Sequence, residues 1–129
     1  MADRGILIDT SIMIDHFRKK NKEESFLYKL SKENTLFLSA ISKFEFLVGA
    51  KQYQINQIER IIEAFYILSF NSYVANIACD IAKRLKTKNQ VLEFRDIFIA
   101  ATAVANNIPL STLNIKHFER IDDLELITS

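Results

Sequence analysis

Residues 5–11 read Gly-Ile-Leu-Ile-Asp-Thr-Ser, a short apolar run that ends in a carboxylate. Three consecutive large aliphatic side chains are typical of a buried strand. Asp9 follows them at the carboxyl end of that strand, and ligands of open α/β sheets bind outside the carboxyl ends of the strands. The stretch therefore predicts a central strand that presents an acidic side chain to a crevice.

Further short apolar runs alternate along the chain with longer segments of helical period, and this alternation favours a parallel sheet covered by helices. The predicted fold class is α/β, and 129 residues suit one domain over residues 1–129. Strands are predicted at residues 6–9, 36–39, 66–70 and 110–112, with a weaker edge strand at 124–127. Helices are predicted at residues 11–17, 23–30, 41–48, 55–65, 74–85 and 94–106, with a helical turn at 115–119.

The composition argues against several classes of enzyme. With Gly5 and Gly49 as its two glycines, the chain can build neither a P-loop nor a dinucleotide-binding fingerprint. No serine occupies a G-x-S-x-G turn, and His16 and His117 are the two histidines, which disfavours a Ser-His-Asp hydrolase. The single cysteine, Cys79, can form no internal disulfide. Its apolar neighbours predict a buried thiol in a protein of the reducing cytoplasm.

Charge and hydropathy limit the possible partners. No apolar run approaches the roughly 18 residues of a membrane-spanning helix, and the N-terminus lacks the order of a signal peptide, so a cytoplasmic protein is expected. The net charge of +1 gives no global attraction to nucleic acid, which leaves local basic clusters to bind phosphates. These clusters are residues 18–22 and residues 83–88. Both also fit solvated helix ends, where the helix dipole favours cations.

Three carboxylates lie in apolar segments where a charge requires a partner: Asp9, Glu45 within residues 44–48, and Asp96 at the start of residues 96–101. Burying one ionised carboxylate without a partner costs roughly several kcal/mol. Three acids that converge on one point repel one another unless a divalent cation lies between them. Oxygen-only ligands suit hard cations, which favours Mg²⁺ or Mn²⁺ over Zn²⁺. The pattern indicates a metal-dependent enzyme.

Asp9 and Asp96 also have purely structural interpretations. Asp9 could cap the following helix, with Thr10 or Ser11 as rival caps. Ser11 could instead hold a water or a phosphate oxygen at the metal. Asp96 would be stabilised by the helix dipole in a first turn, although its apolar neighbours predict a buried central helix. Arg95 is the expected counter-charge when no metal is bound.

Glu45 has a structural interpretation of its own. Ser42-Lys43-Phe44-Glu45 matches the S-x-x-E capping box, which would start a helix at Ser42. A start near Ser39 instead places Glu45 about two turns into the helix, on the side of Ile41 and Val48. We favour the second arrangement, in which Glu45 belongs to the site.

Four segments together carry a resemblance to a known family: residues 6–12 around Asp9, residues 38–49 with Glu45 and Gly49, residues 96–103 with the pattern D-x-x-I-A-A-x-A, and residues 111–118 with T-x-N-x-x-H-F. In this order they resemble the motifs of PIN-domain ribonucleases, and within that family those of the VapC-type toxins of bacterial toxin–antitoxin pairs. The resemblance covers nearly the whole chain.

The resemblance implies a three-layer α/β/α domain with a central parallel sheet of four to five strands, and it implies a homodimer. It also implies endonucleolytic cleavage of structured RNA, such as tRNA or rRNA. A cognate antitoxin is the implied protein partner, and its C-terminal segment would fill the groove and hold the enzyme inactive. No membrane association is expected.

The residues match the family motifs as follows. The implied catalytic residues are Asp9, Glu45, Asp96 and Asn114, and the first three of them would hold one or two Mg²⁺ or Mn²⁺ ions. Ser11 and Thr112 would position a phosphate or support the site. On their charge and not on the motifs, the candidates for contacts with the RNA backbone are Arg95, Lys116, Lys83, Arg84 and Lys86.

One departure from the family pattern bears on the chemistry. Many members have a further acid at the position of Asn114, whose neutral oxygen would hold a water or a second cation less strongly. A PIN-like module that binds RNA or protein without cutting it remains an alternative. A phosphatase of the haloacid dehalogenase type is a weaker one, because that motif requires a second Asp two residues after the first and Ser11 stands there.

Overall fold

The computed structural model of the protein describes residues 4–127. Its five strands are β1 (Ile6–Ile8), β2 (Leu36–Ser39), β3 (Tyr66–Leu68), β4 (Leu110–Ser111) and β5 (Leu126–Ile127). Its helices are α1 (Thr10–Arg18), α2 (Phe26–Glu33), α3 (Ala40–Gly49), α4 (Ile55–Glu63), α5 (Ser72–Thr87), α6 (Phe94–Ala105) and α7 (Ile115–Phe118). Short 3-10 turns at Lys22–Glu24 and Gln52–Gln54 precede α2 and α4.

All five strands form one parallel sheet in the order β3-β2-β1-β4-β5, so β1 is central as expected. Leu7 pairs with Phe37 on one side and with Leu110 on the other. The chain winds outward from β1 through β2 and β3, then returns to the opposite side with β4 and β5. The strand order therefore reverses between β1 and β4, and such a reversal opens a crevice at the carboxyl ends of the strands.

The apolar core is divided between the two faces of the sheet, because side chains alternate between faces along a strand. Leu7 packs with α5 and α6, where Val74, Ile81 and Ile99 are buried. Ile6 and Ile8 point the other way and pack with buried residues of α1, α2 and α4, which are Ile12, Met13, Leu27, Leu30, Ile58 and Ile62. The predicted α/β class with its three layers is thus confirmed.

Several boundaries differ from the predicted ones for local reasons. Helix α2 begins at Phe26 rather than at residue 23, because the Ser25 hydroxyl accepts a hydrogen bond from the Tyr28 N–H and caps the helix there. Strand β3 ends at Leu68, two residues early, and Asn71 caps α5 by accepting from the Val74 N–H.

The expectation of a buried thiol at Cys79 is wrong, because this side chain is exposed. The buried stripe of α5 runs through Val74, Ala78, Ile81 and Leu85. Cys79 follows Ala78 directly, and one residue further along a helix is a rotation of about 100°. Its side chain therefore lies outside the stripe. In the part of the chain that the structure describes, no helix combines the length and the apolar character needed to cross a membrane.

The junction between α1 and α2 contains a half-buried histidine. His16 Nδ1 lies 2.6 Å from the Ser25 hydroxyl that caps α2. Burial lowers the pKa of His16, and the Lys22 ammonium lowers it further, while Asp15 acts in the opposite direction. The folded protein therefore favours the neutral ring, which can accept a hydrogen bond from the Ser25 hydroxyl at Nδ1.

We expect this junction to make the protein less stable in mild acid. Because the pKa of His16 is lower in the folded state than its ordinary value of 6.5, its contribution to stability is present above that value and is lost as the pH falls below it. Urea unfolding measures the unfolding free energy at about pH 7.5 and at about pH 5.5. The decrease between the two pH values should be smaller for His16→Asn than for the unaltered protein, because the variant has no imidazole to protonate. Equal losses in the two proteins would contradict this assignment.

Candidate metal centre

Asp9 directly follows the central strand and is fully buried. Its Oδ2 accepts hydrogen bonds from the hydroxyls of Ser11 and Thr112, both at 2.8 Å. Its Oδ1 is also buried, and within residues 4–127 it has no hydrogen-bond partner. Buried carboxylate oxygens are normally satisfied, so an unsatisfied one at the crevice is a candidate ligand for a cation.

The two hydroxyls that hold Asp9 are themselves held by the backbone after β4. Ser11 Oγ accepts from the Leu113 N–H, and Thr112 Oγ1 accepts from the Asn114 N–H, both at 2.9 Å. Each hydroxyl can therefore donate its one proton to Asp9. This network joins the carboxyl ends of β1 and β4 and fixes the orientation of the carboxylate. Asp9 occupies the position before α1 without a side-chain capping bond, so the helix-cap interpretation is wrong.

Glu45 reaches the same place from α3. The helix begins at Ala40, and the Ser39 hydroxyl caps it by accepting from the Ser42 N–H at 3.0 Å. The capping box that would start the helix at Ser42 is therefore wrong, and Glu45 lies in the second turn as favoured. Its Oε1 accepts a hydrogen bond from the Thr10 hydroxyl at 3.3 Å.

Asp96 completes the group from the first turn of α6. Only 6% of its surface is exposed, and six of the seven residues after it are buried. The helix is central as predicted. Asp96 Oδ2 lies 3.6 Å from His117 Nδ1, and the His117 side chain is half exposed.

Arg95 lies among the three acids and contacts each of them. Its Nε donates to Glu45 Oε2 at 2.5 Å and its Nη1 to Asp96 Oδ1 at 2.6 Å. Its Nη2 donates to the Thr10 hydroxyl and lies 3.7 Å from the unsatisfied Oδ1 of Asp9. The sequence-based expectation that Arg95 is the counter-charge agrees with this arrangement.

The pKa of Arg95 reflects this environment. Burial lowers the pKa, but the hydrogen bond and charge of Glu45, together with the charges of Asp9 and Asp96, outweigh burial and raise it above its usual value. The guanidinium therefore stays charged and holds the carboxylates in place. Among residues 4–127, no three acidic, histidine or cysteine side chains are arranged closely enough to hold a metal ion as they stand.

The donor set nevertheless fits a hard divalent cation. Asp9, Glu45 and Asp96 provide oxygen ligands alone, and the buried Oδ1 of Asp9 accepts no hydrogen bond from the described residues. Their combined negative charge exceeds the single positive charge of Arg95. A cation could bind all three carboxylates if the guanidinium moved aside.

The remaining predicted residues differ in exposure and in the partners that they contact. Asn114 is exposed at the start of α7 and is tied to Asp9 through Thr112, while Lys116 is exposed on the same short helix. The basic cluster of residues 83–88 is partly neutralised, because Arg84 pairs with Asp123 and Lys88 with Asp122, each at 2.7 Å. Lys83 and Lys86 are exposed.

Sequence reasoning missed the role of Thr10, which it considered only as a helix cap. The Thr10 hydroxyl donates to Glu45 and accepts from Arg95. The position of Thr10 in the sequence, directly after Asp9, could have indicated this role. A hydroxyl next to a predicted ligand can be close enough to contact the other members of the site.

A groove opens beside the centre between α1, α3 and α4, with a volume of about 310 Å³. Apolar side chains line most of it, and these are Ile14, Phe17, Phe46 and Ile58. Thr10 and Glu45 lie at its edge toward the acidic centre, and Arg18 adds a positive charge. The groove is thus apolar along its walls and charged next to the carboxylates.

Comparison with known proteins places this geometry in a family. Ribonuclease VapC1 of Methanocaldococcus jannaschii is 34% identical over 122 residues, which cover 94% of this chain and 84% of the relative. Ribonuclease VapC10 of Mycobacterium tuberculosis is 27% identical over 120 residues, which cover 93% of this chain and 90% of the relative.

Solved structures show the same architecture. The structure of VapBC2 from Rickettsia felis, bound to a fragment of promoter DNA, superposes with a TM-score of 0.83 at 26% identity. The match covers 97% of this chain and 98% of the matched chain. VapBC-1 from nontypeable Haemophilus influenzae gives a TM-score of 0.82 at 26% identity, with 96% and 97% covered. Residues 6–124, from the central strand to the segment before β5, match the PIN domain, and the chain belongs to the PIN domain family.

Proposed function

We propose that this protein is a metal-dependent endoribonuclease and the toxin of a toxin–antitoxin pair. The observation that carries the proposal is the convergence of Asp9, Glu45 and Asp96 at the carboxyl edge of the sheet, with one buried carboxylate oxygen left without a hydrogen bond. The names of the relatives support the same activity, since they are ribonucleases of the VapC type.

In this proposal the three carboxylates hold one or two Mg²⁺ or Mn²⁺ ions. The ion supplies a Lewis acid that lowers the pKa of a water molecule and neutralises charge on the phosphate. Ser11 and Thr112 keep the Asp9 carboxylate in one orientation by donating to Oδ2, so that Oδ1 would be the oxygen available to hold an ion. Asn114 would offer a neutral oxygen, which is a weaker ligand for a second ion than an acid would be.

Positive side chains near the centre would position the RNA. Lys116 is exposed on α7, where the next residue, His117, lies 3.6 Å from Asp96. Arg95 contacts the carboxylates directly and has 29% of its side chain exposed. Lys83 and Lys86 are further candidates, while Arg84 would first have to leave Asp123. Each phosphate contact releases counterions, so binding should weaken as salt is raised. The proposed substrates are structured RNAs such as tRNA or rRNA.

The groove beside the centre supports an antitoxin as the protein partner. Its apolar walls suit an amphipathic segment, and its position places that segment against Glu45. The related solved structures are of VapBC2 and VapBC-1, and the first is bound to a fragment of promoter DNA. A homodimer is part of the same proposal.

The test is cleavage of total RNA and of a tRNA panel by the purified protein, free of any copurified partner. We expect discrete products with Mg²⁺ or Mn²⁺ and none with EDTA, because the carboxylates need the ion to act on a phosphodiester. Cleavage that persists in EDTA would contradict the metal-dependent mechanism. Binding of RNA without cleavage under any metal would instead favour a non-catalytic module.

A further inference from the structure

The contacts of Arg95 occupy the oxygens that a metal ion would need. Its Nε donates a hydrogen bond to Glu45 Oε2 at 2.5 Å, and its Nη1 donates one to Asp96 Oδ1 at 2.6 Å. Its Nη2 faces Asp9 Oδ1 at 3.7 Å, which is an ion-pair contact and not a hydrogen bond. One guanidinium thus stands where three candidate ligands converge.

The position of Arg95 in the helix shows what holds it there. It is the second residue of α6, and Glu93 before the helix provides no side-chain cap. The N-terminal end of a helix carries partial positive charge, so a cation in the first turn is disfavoured. The carboxylates of Glu45, Asp96 and Asp9 must therefore provide the attraction that keeps the guanidinium in place.

The balance of charge would allow a divalent ion to replace the Arg95 guanidinium among the carboxylates. Three carboxylates and one guanidinium have a formal net charge of about −2 when all are ionised. A divalent ion carries twice the charge of Arg95 and can bind several carboxylate oxygens at once. Since 29% of the Arg95 side chain is exposed, the guanidinium can move into solvent without crossing the core.

We propose that Arg95 is an internal counter-cation that competes with the divalent ion for the same three carboxylates. Metal binding then requires the guanidinium to leave, and the measured metal affinity is reduced by the free energy of the arginine contacts. This inference rests on the proposed function, because it takes the carboxylates to be the metal ligands. It adds that, when no ion is bound, the Arg95 guanidinium occupies the carboxylate oxygens that would bind the ion.

The test measures Mn²⁺ binding to the metal-free protein by titration calorimetry, and by the loss of the free-ion signal in electron paramagnetic resonance. We expect Arg95→Gln to bind Mn²⁺ about tenfold more tightly than the unaltered protein, equivalent to about 1.4 kcal/mol. Arg95→Lys should bind with intermediate affinity, because a single ammonium keeps the charge but cannot donate in a fork to separate partners.

The matched control is Arg4→Gln. It removes one arginine from an exposed ion pair with Glu125, before β1 and away from the carboxyl edge. Its Mn²⁺ affinity should equal that of the unaltered protein, which separates local competition from the general effect of net charge. A second readout is thermal unfolding, in which Mn²⁺ should raise the midpoint of Arg95→Gln more than that of the unaltered protein.

The outcomes distinguish this inference from the proposed function. If the unaltered protein binds Mn²⁺ and both Arg95 variants bind it equally or more weakly, the competition is overturned while the metal centre stands. If neither the unaltered protein nor any Arg95 variant binds Mn²⁺, both the competition and the metal centre are overturned. Should Arg95→Gln fail to fold without metal, Arg95→Lys still provides the comparison, because it retains the positive charge.

Discussion

Asp9→Asn is expected to abolish metal-dependent RNA cleavage, with a loss of more than about 100-fold. Changing residues that only support a metal ligand costs about 10- to 100-fold, so removing the charge of a buried ligand should cost more. The asparagine has nearly the same size, and its carbonyl oxygen can still accept from Ser11 and Thr112 as Oδ2 does now. The measurement is the initial rate of cleavage of the RNA identified in the panel, at saturating Mg²⁺.

The same variant should stay folded. Asp9 is attracted by Arg95 at 3.7 Å and repelled by the other two acids, so the loss of its charge has opposing effects on the metal-free protein. We expect the unfolding free energy in EDTA to change by no more than about 1 kcal/mol. Glu125→Gln is the matched control, because it neutralises an exposed acid that pairs with Arg4. Cleavage by Asp9→Asn within tenfold of this control would remove Asp9 from the set of ligands.

The central part of the fold could be predicted from local pattern. Ile6, Leu7 and Ile8 are buried on alternating faces, and a run of three large aliphatic side chains is typical of a strand covered on both sides. Element ends were less predictable, since they depend on single hydrogen bonds such as those of Ser25 and Asn71. Burial on an amphipathic helix was also misjudged at Cys79, where neighbours in sequence point in different directions.

The candidate site could be predicted in its residues but not in its contacts. Apolar surroundings identified Asp9, Glu45 and Asp96, because a charge in such a segment needs a reason. The fork of Arg95, by contrast, joins α1, α3 and α6, and its contacts with Thr10 and Glu45 span 85 and 50 residues of chain. No local sequence pattern predicts contacts between residues so far apart in the chain. These contacts follow from the sheet topology, in which the reversal of strand order between β1 and β4 brings the three helices to one edge.

Gly5→Ala is expected to have the largest effect on stability. Gly5 has a φ of +71°, a region that costs an L-residue about 1–2 kcal/mol. A Cβ there would lie 2.5 Å from Cε2 and 3.0 Å from Cδ2 of Phe37. The Phe37 ring packs on Tyr66 with a centroid distance of 5.6 Å, so it cannot shift without disturbing its neighbour. With about 1–3 kcal/mol for overpacking, the total loss should reach about 2–5 kcal/mol in urea unfolding.

Gly49→Ala provides the control, because the residue closes helix α3 and its added Cβ would meet nothing within 4 Å among residues 4–127 apart from its chain neighbours and the helix's own backbone. Alanine is favoured over glycine in a helix, so this change should leave stability unaltered or raise it by up to about 1 kcal/mol. A loss at Gly49 as large as that at Gly5 would mean that neither φ nor the contact with Phe37 explains the effect.

A double-mutant cycle separates the two causes at Gly5. Phe37→Val removes the ring atoms that the new Cβ would meet and keeps a side chain that favours strands. If crowding contributes, the double variant should be more stable than the sum of the single losses predicts, by about 1 kcal/mol or more. The part due to the positive φ should remain, since no change at Phe37 relieves it. Strictly additive losses would assign the whole effect to the backbone of Gly5.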